Sequence, residues 1–326
     1  LYKGMGVLSA EHYSNYPPIN QLGFYLASII GGNSILANII SIRVLLILSD
    51  LGIFWFGIKL LDYLNRSKKR IGLYFLNPLI IVELTGNLHW EGFMVFFFIF
   101  GLYLIFVKNQ WKWATIPMAI SVASKLIPLL ILPLFWRFLK PKKGMLFGLL
   151  ILLFLFLFFV PFFLGADNLS HYLNTLGLWF NRFEFNGSLY YVIRAIGYEV
   201  KGYNIIRKLG SVSPYIILGI VAVFTFIRNN KTPQVLLTGM LFCLSCYFFI
   251  ATTVHPWYIV SLVSLAIFTN YSYPLIWSAL VVLSYATYGN PDFNENYCLI
   301  GLQYGIVYGV FLLELIQRKN LLHHFK

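Results

Sequence analysis

The chain has 326 residues, of which 59% are hydrophobic and 11% are charged, and its formal net charge is +13. So few polar residues cannot cover the surface of a soluble globule of this length, which excludes an ordinary soluble enzyme. The excess of Lys and Arg is explained by loops at membrane boundaries, so nucleic-acid binding need not be invoked.

Long apolar runs dominate the chain. The run from Gly144 to Phe163 carries no charge and has about 20 residues, the length that crosses roughly 30 Å of hydrocarbon as a helix. The runs lack the two-residue alternation of barrel strands. They predict an all-α, polytopic transmembrane helical bundle that forms one domain, residues 1–326. About eleven spans are expected, near residues 35–64, 71–85, 91–107, 113–124, 126–139, 144–163, 213–228, 234–251, 256–269, 273–288 and 300–316.

The amino-terminal region differs from the rest. Residues 19–31 are apolar but short for a span and end at Gly31-Gly32, which predicts a re-entrant or interfacial helix. The first residues are expected on the external side, yet no span, initiator Met or signal sequence precedes them. We therefore expect that the N-terminus is truncated and that the intact protein has about twelve spans.

The distribution of Lys and Arg predicts the orientation. Basic residues cluster in short loops such as 66–70 and 140–143, which we expect to be cytoplasmic. The longest loop, about 164–212, is then external. Within it, residues 179–191 interleave aromatic and polar side chains, a pattern that suits either sugar binding or a helix lying on the membrane.

Polar residues that lipid should exclude gather on the predicted external side. Glu83 lies inside an apolar segment, and intramembrane charges usually face a cavity. A tight turn carrying His89 and Glu91 follows it, and Lys125 separates two apolar segments. The full set on this side includes Glu11, Tyr16, Glu83, His89, Glu91, Lys125, Arg182, Asn186, Arg194 and His255.

Each of these residues also has a structural interpretation, which the sequence leaves open. The turn with His89 and Glu91 is either a solvated hairpin or the wall of a site. Lys125 either extends to the membrane surface as an anchor or binds an anion. His255, in His255-Pro256-Trp257-Tyr258, is either a satisfied interfacial residue or a donor to phosphate or hydroxyl groups.

Metal chemistry has little support in the sequence. Cys243 and Cys246 have CxxC spacing but lie in an apolar span without a second pair, which favours a packing role. No metal site is predicted, and nothing in the sequence requires a divalent metal or a cofactor. No glycine-rich nucleotide-binding loop is visible either.

The ordered motifs resemble those of the multispan GT-C glycosyltransferases. Within that class the chain is most similar to bacterial polyprenyl-phosphomannose-dependent mannosyltransferases and to relatives of the glycosylphosphatidylinositol mannosyltransferases. The motifs cover essentially the whole chain in order: Tyr16-Pro17-Pro18, Asn77-Pro78-Leu79 with Glu83, His89 and Glu91, Ser124-Lys125 with Pro128, Phe185-Asn186-Gly187-Ser188, and His255-Pro256-Trp257-Tyr258.

The resemblance implies transfer of a sugar, mannose above all, from a polyprenyl-phosphate donor to a lipid-linked or glycan acceptor. The expected location is the bacterial inner membrane, with the site facing the periplasm or exterior. The resemblance also implies an acidic residue that acts as catalytic base in the first external loop, upstream of Tyr16, where Glu11 is the only acidic residue present. We expect the principal acid to lie outside this sequence, with Glu91 as the best visible carboxylate. The expected substrate-binding residues are Tyr16, His89, Lys125, Arg182, Asn186, Arg194 and His255.

Two other functions share some of these features. A lipid or polysaccharide flippase or transporter would also place polar residues in broken helices, but near the midplane and in two matching halves, which are not evident. An O-antigen-type polymerase or ligase would share an Arg-rich external loop, but would not predict the ordered motifs. The sugar, the acceptor and the linkage are not encoded in any pattern that we can recognise.

Overall fold

The structure, a computed structural model, describes residues 10, 12–165, 167–289 and 292–317, without the side chains of residues 179–182. The predicted all-α class is confirmed: within this part of the chain there is no strand, only an isolated bridge between Phe185 and Thr253. The α-helices in chain order are α1 Pro18–Gly31, α2 Ile35–Tyr63, α3 Gly72–Phe75, α4 Pro78–Ile80, α5 Glu91–Phe106, α6 Trp111–Ser124, α7 Phe135–Phe138, α8 Pro141–Phe163, α9 Asn168–Arg182, α10 Leu189–Lys201, α11 Ile206–Ala222, α12 Pro233–Ile250, α13 Ile259–Ala266, α14 Tyr273–Leu280 and α15 Tyr297–Gln317.

Five helices within the described ranges are long and apolar enough to cross a membrane, or six if the bent pair 78–86 and 91–106 forms one span. The predicted count of eleven is therefore not confirmed. The long helices are α2, α8, α11 with its π-helical extension to Ile227, α12 and α15.

Proline explains why some predicted spans are broken. Pro78 opens α4 behind Asn77, whose side chain accepts a hydrogen bond from the Leu79 N–H at 3.0 Å. Pro128 and Pro133 begin separate 3₁₀ turns in the segment where a span was expected at 126–139. Proline fits the first turn of a helix but removes a hydrogen bond from its interior, so these segments start anew instead of continuing.

The predicted short helix at 19–31 is α1, Pro18–Gly31. The residue after it, Gly32, has a φ of 52°, in the left-handed region that glycine adopts freely. The Ser34 side chain then caps α2 by accepting a hydrogen bond from the Ala37 N–H at 3.2 Å. α1 folds back on α2 and also contacts α6 and α8.

The centre of the fold is the packing of α5 against α2 and α6. Small residues allow these close approaches: a Cβ on Gly101 would lie 2.7 Å from the Met118 methyl carbon. α5 begins at Glu91 after a bend of 110° that follows the π-helical turn Ile81–Gly86. The bend before α5 and the end of α6 at Ser124 place two polar interruptions of the helices close together, one just before α5 and one just after α6.

Helices α9 and α10 occupy most of the long loop predicted at 164–212, and α11 begins within it at Ile206. Segment 183–188 between α9 and α10 lies beside residues 252–254, through hydrogen bonds between Phe185 and the carbonyl of Thr252 at 3.1 Å and between Val254 and the carbonyl of Phe185 at 2.9 Å. These hydrogen bonds hold the long loop beside the start of the 256–258 turn.

Gly23 of α1 is expected to be essential for packing. A Cβ there would lie 1.9 Å from Cη2 of Trp90, whose buried ring is also held by Phe24 and Phe93. We expect Gly23→Ala to lower the free energy of unfolding by about 1–3 kcal/mol, as overpacking of a filled core does. The measurement is the thermal unfolding midpoint of the detergent-purified protein.

Gly148→Ala is the matched control, because Gly148 also lies in a helix and its Cβ would meet nothing within 4 Å. We expect this variant to unfold at the wild-type temperature or slightly above it. Equal midpoints for the two variants would show that α1 does not pack on Trp90 as described.

Candidate active site

Glu91 and Lys125 form an ion pair where α5 begins and α6 ends. The Glu91 side chain is fully buried, and that of Lys125 is 15% exposed. Lys125 leaves the helix with extended backbone angles while its N–H still donates to the Ser121 carbonyl at 3.1 Å. A buried charge pair of this kind is tolerated only because each group neutralises the other.

Aromatic rings complete the surroundings of the ammonium group. Lys125 Nζ lies 5.1 Å from the ring centre of Tyr258 and 5.9 Å from that of Tyr16. Both distances are in the range of cation–π attraction. The ammonium therefore faces one carboxylate and two aromatic rings, while the Lys125 side chain as a whole stays partly exposed.

Two histidines stack on the two faces of one tryptophan beside this pair. The ring centres of His89 and Trp257 are 3.8 Å apart, and those of His255 and Trp257 are 4.4 Å apart. Phe185 extends the column, 4.9 Å from His255. The column joins the 87–90 break, the 255–258 segment and the long loop, three parts of the chain that are distant in sequence.

Both histidines are neutral at physiological pH. Burial, reinforced by the positive charge of Lys125, lowers the pKa of His89 to about 4. Burial, Lys125 and His89 together lower the pKa of His255 to about 3. A neutral imidazole has one N–H donor and one acceptor nitrogen, so His255 can donate to a phosphate or hydroxyl oxygen without carrying charge.

Glu83 was expected to face a cavity, and the structure corrects this. The side chain is fully buried and satisfied by its neighbours: it accepts hydrogen bonds from the Tyr285 hydroxyl and from Asn87 at 3.3 Å. His89 Nε2 lies 3.4 Å from Oε2, the same oxygen that accepts from Asn87. Because the π-helical turn directs Glu83 inward, it supports the position of His89 instead of lining an opening.

Asn186 holds the loop against the site. Its φ of 49° is unusual for a residue other than glycine, and such strain is often stored beside functional sites. Its N–H donates to Glu295 at 2.6 Å, its carbonyl accepts from the Tyr304 hydroxyl at 2.7 Å, and its side chain donates to the Val254 carbonyl at 3.2 Å. The last contact fixes the residue that precedes His255.

Arg194 belongs to a second cluster in the loop. It pairs with Glu184 at 2.6 Å and lies 4.3 Å from the ring centre of Tyr191. It also donates to the Tyr297 hydroxyl at 3.1 Å. The expected phosphate contact is therefore already occupied by a carboxylate in this conformation.

The structure thus brings together Tyr16, His89, Glu91, Lys125, Asn186 and His255 in one region, and places Arg194 in the neighbouring cluster. Glu11 and the side chain of Arg182 lie outside the described residues. Sequence reasoning missed Asn20, a fully buried polar residue of α1 whose amide donates to the Ser124 carbonyl at 3.4 Å. Its polarity inside an apolar helix was the available signal.

No group of three or more His, Cys, Asp or Glu residues in the described ranges could hold a metal ion. A small void lies further along α5, between Met94, Phe98, Ile131 and Leu265, with about 20 Å³ for the centres of water-sized molecules. Its lining is almost wholly apolar, so it does not suit a sugar or a phosphate. The chemistry of this region therefore rests on the side chains of the ion pair and the ring column.

The histidine column makes the stability of the protein depend on pH. Below about pH 6.5 an unfolded histidine takes up a proton, whereas folded His255 does so only near pH 3, so the unfolded state binds more protons between these values. Well inside this window, the free energy of unfolding should fall by ~1.4 kcal/mol per histidine for each unit by which the pH is lowered. Above about pH 6.5 the contribution of these histidines to the free energy of unfolding should be constant.

The measurement is the thermal midpoint between pH 7.5 and 5.5, a range chosen above the titration of ordinary carboxyl groups. We expect His255→Asn to flatten the slope of this dependence whatever its effect on the midpoint itself. Exposed His12→Asn, outside the column, should leave the slope unchanged. A wild-type slope in the His255 variant would contradict a buried neutral imidazole.

A comparison with known protein families matches residues 7–139 to the family described as alpha-(1->6)-mannopyranosyltransferase, N-terminal domain. The matched part contains Tyr16, His89, Glu91 and Lys125, whereas His255 and the long loop lie beyond it. No curated protein and no solved structure matches the chain. The match over this part of the chain confirms the resemblance seen in the sequence motifs and supports a membrane glycosyltransferase.

Proposed function

We propose that the protein transfers mannose from a polyprenyl-phosphate donor to a lipid-linked or glycan acceptor on the non-cytoplasmic side of the membrane. The observation that carries the proposal is the Lys125 ammonium, paired with the Glu91 carboxylate and faced by the rings of Tyr16 and Tyr258. The two neutral histidines stacked on Trp257 lie in the same region. A cation with neighbouring N–H donors suits the phosphate that leaves when a sugar is transferred from such a lipid.

The depth of the site agrees with a lipid-linked substrate. Glu91 lies 15 residues before the end of α5 at Phe106, a distance of about 22 Å along the helix. The 14 residues of α6 place Lys125 about 21 Å along the helix axis from the start of α6. A hydrocarbon layer is about 30 Å thick. With the 107–110 loop at the inner surface, the ion pair lies in the outer half of the membrane, where the head of a membrane-bound donor can reach it.

The proposed reaction is a single displacement with inversion. The acceptor oxygen forms a bond to the anomeric carbon, the bond from that carbon to the phosphate oxygen breaks, and the electron pair leaves with the phosphate. Lys125 stabilises the leaving phosphate, with His255 as a neutral donor. The acceptor proton passes to a carboxylate, a step typically worth about 10²–10⁴-fold in rate.

Glu91 is the described carboxylate best placed for this step, because the donor phosphate competes with it for Lys125. While the ion pair is intact, Glu91 is buried and engaged. Once Lys125 turns to the phosphate, Glu91 is released beside the reacting groups. Glu11 is the alternative base that the family resemblance implies.

The test uses the native full-length protein and a radiolabelled polyprenyl-phosphate mannose donor. We expect Glu91→Gln, Lys125→Met and His255→Ala each to reduce the initial rate of transfer, measured per mole of folded and monodisperse protein, at least tenfold, about 1.4 kcal/mol in barrier. Glu91→Gln is nearly isosteric, so a lower rate in this variant shows that the negative charge of Glu91 is needed. Exposed Lys143→Met is the matched control and should retain the wild-type rate.

Wild-type rates in all three site variants would remove these residues from the site. A flippase would instead move the labelled lipid between leaflets without forming a new glycosidic bond. Analysis of the product for a mannosylated acceptor separates the two activities.

A further inference from the structure

Glu295 is a partly buried acidic residue that the proposed transfer does not use. It lies two residues before the start of α15. Its carboxylate joins two parts of the long loop: Oε1 accepts a hydrogen bond from the Asn186 N–H at 2.6 Å, and Oε2 accepts one from the Tyr191 hydroxyl. Hydrogen bonds to an ionised acceptor are stronger than those between neutral groups. Glu295 therefore fastens the start of α15 to segment 183–188 and to α10.

The backbone of Asn186 depends on this attachment. Its φ of 49° is unfavourable for a residue with a side chain, and the residue is fully buried. A strained conformation persists only where the surrounding contacts impose it. The N–H of Asn186 is held by Glu295, and its carbonyl accepts from the Tyr304 hydroxyl of α15 at 2.7 Å. Both main-chain polar groups of the strained residue are thus held by the part of the chain around the start of α15.

The other side of the same segment holds the residue before His255. The Phe185 N–H donates to the Thr252 carbonyl at 3.1 Å, and the Val254 N–H donates to the Phe185 carbonyl at 2.9 Å. The Asn186 side-chain amide donates to the Val254 carbonyl at 3.2 Å. The ring centre of Phe185 is 4.9 Å from that of His255. Since Val254 is bonded through both its N–H and its carbonyl, the position of His255 follows that of segment 183–188.

Loss of the Glu295 carboxylate would act on His255 through these contacts. The Asn186 N–H would be left buried without this acceptor, which costs more free energy than exposing it to water. The backbone at Asn186 must then turn toward another acceptor, and this turn removes its side-chain hydrogen bond to Val254. The His255 ring, whose centre is 4.4 Å from that of Trp257, is displaced as a result.

We propose that Glu295 is a positioning residue, which holds Asn186 in its strained conformation and thereby sets the place of the His255 ring on Trp257. This alignment is a property of the folded protein, and its effect on turnover rests on the proposed function. In that reaction His255 donates to the leaving phosphate, so a displaced ring lowers kcat more than it raises KM. Glu295, Asn186 and His255 all lie beyond the matched family region, residues 7–139. The later part of the chain would thus complete a site whose ion pair lies in the earlier part.

NMR of the protein with ¹³C-labelled histidine rings tests the alignment without any activity. The chain has six histidines, and the His255 signal is identified by its loss in His255→Asn. Stacking against Trp257 and Phe185 should shift this signal away from that of free histidine. We expect Glu295→Ala and Asn186→Gly each to move it back toward the free value. Asn186→Gly keeps the N–H and accepts a positive φ, so it removes only the side-chain contact with Val254.

Asp292→Asn is the matched control, because Asp292 is an exposed acid in the segment that contains Glu295. We expect its His255 signal to coincide with that of the wild type. Glu295→Gln is nearly isosteric and keeps one acceptor oxygen, so it should give a smaller displacement in the same direction. An unmoved His255 signal in folded Glu295→Ala and Glu295→Gln would overturn the alignment.

A double-mutant cycle tests whether Glu295 acts through His255. We expect Glu295→Ala to lower kcat for mannose transfer by about tenfold with less than a twofold change in KM, and to have no further effect on kcat in His255→Ala. The same tenfold loss in both backgrounds would contradict the route through His255. A displaced His255 signal in Glu295→Ala, together with a wild-type protein that does not transfer mannose, would support the alignment and refute the proposed function.

Discussion

The site depends on one buried ion pair, Glu91 with Lys125. Neither charge is stable alone in a low-dielectric interior, and removal of one partner from such a pair typically costs 3–5 kcal/mol. The pair is possible because α5 begins and α6 ends at the same level, leaving two chain breaks side by side. The 110° bend before α5 and the extended backbone of Lys125 are the local distortions that produce this geometry.

The ring column connects this pair to the rest of the molecule. His89 comes from the break next to Glu91, and Trp257 and His255 come from a segment more than 160 residues later, outside the matched family region. Asn186 ties the long loop to the same segment. Parts of the chain with separate sequence motifs therefore share one rigid set of contacts, and Lys125 influences the protonation of both histidines.

The sequence predicted the helical class because uncharged runs of about 20 residues have few other solutions in a membrane. It predicted span number poorly, since Pro78, Pro128 and Pro133 divide apolar runs into short turns that composition alone cannot distinguish from continuous helices. Grouping of Glu91, His89, Lys125 and His255 on one side followed from loop charge. The inward direction of Glu83 and the pairing of Arg194 with Glu184 depend on a π-helical turn and on helix packing, which leave no periodic signal.

The central claim is that Lys125 binds the phosphate of the donor. Its most direct test is a ³¹P NMR titration of the purified native protein with a short-chain polyprenyl phosphate, compared with Lys125→Met and with the exposed control Lys143→Met. We expect a saturable change in the ³¹P chemical shift for the wild type and the control, and a Kd at least tenfold larger for Lys125→Met. Equal binding by all three proteins would contradict it.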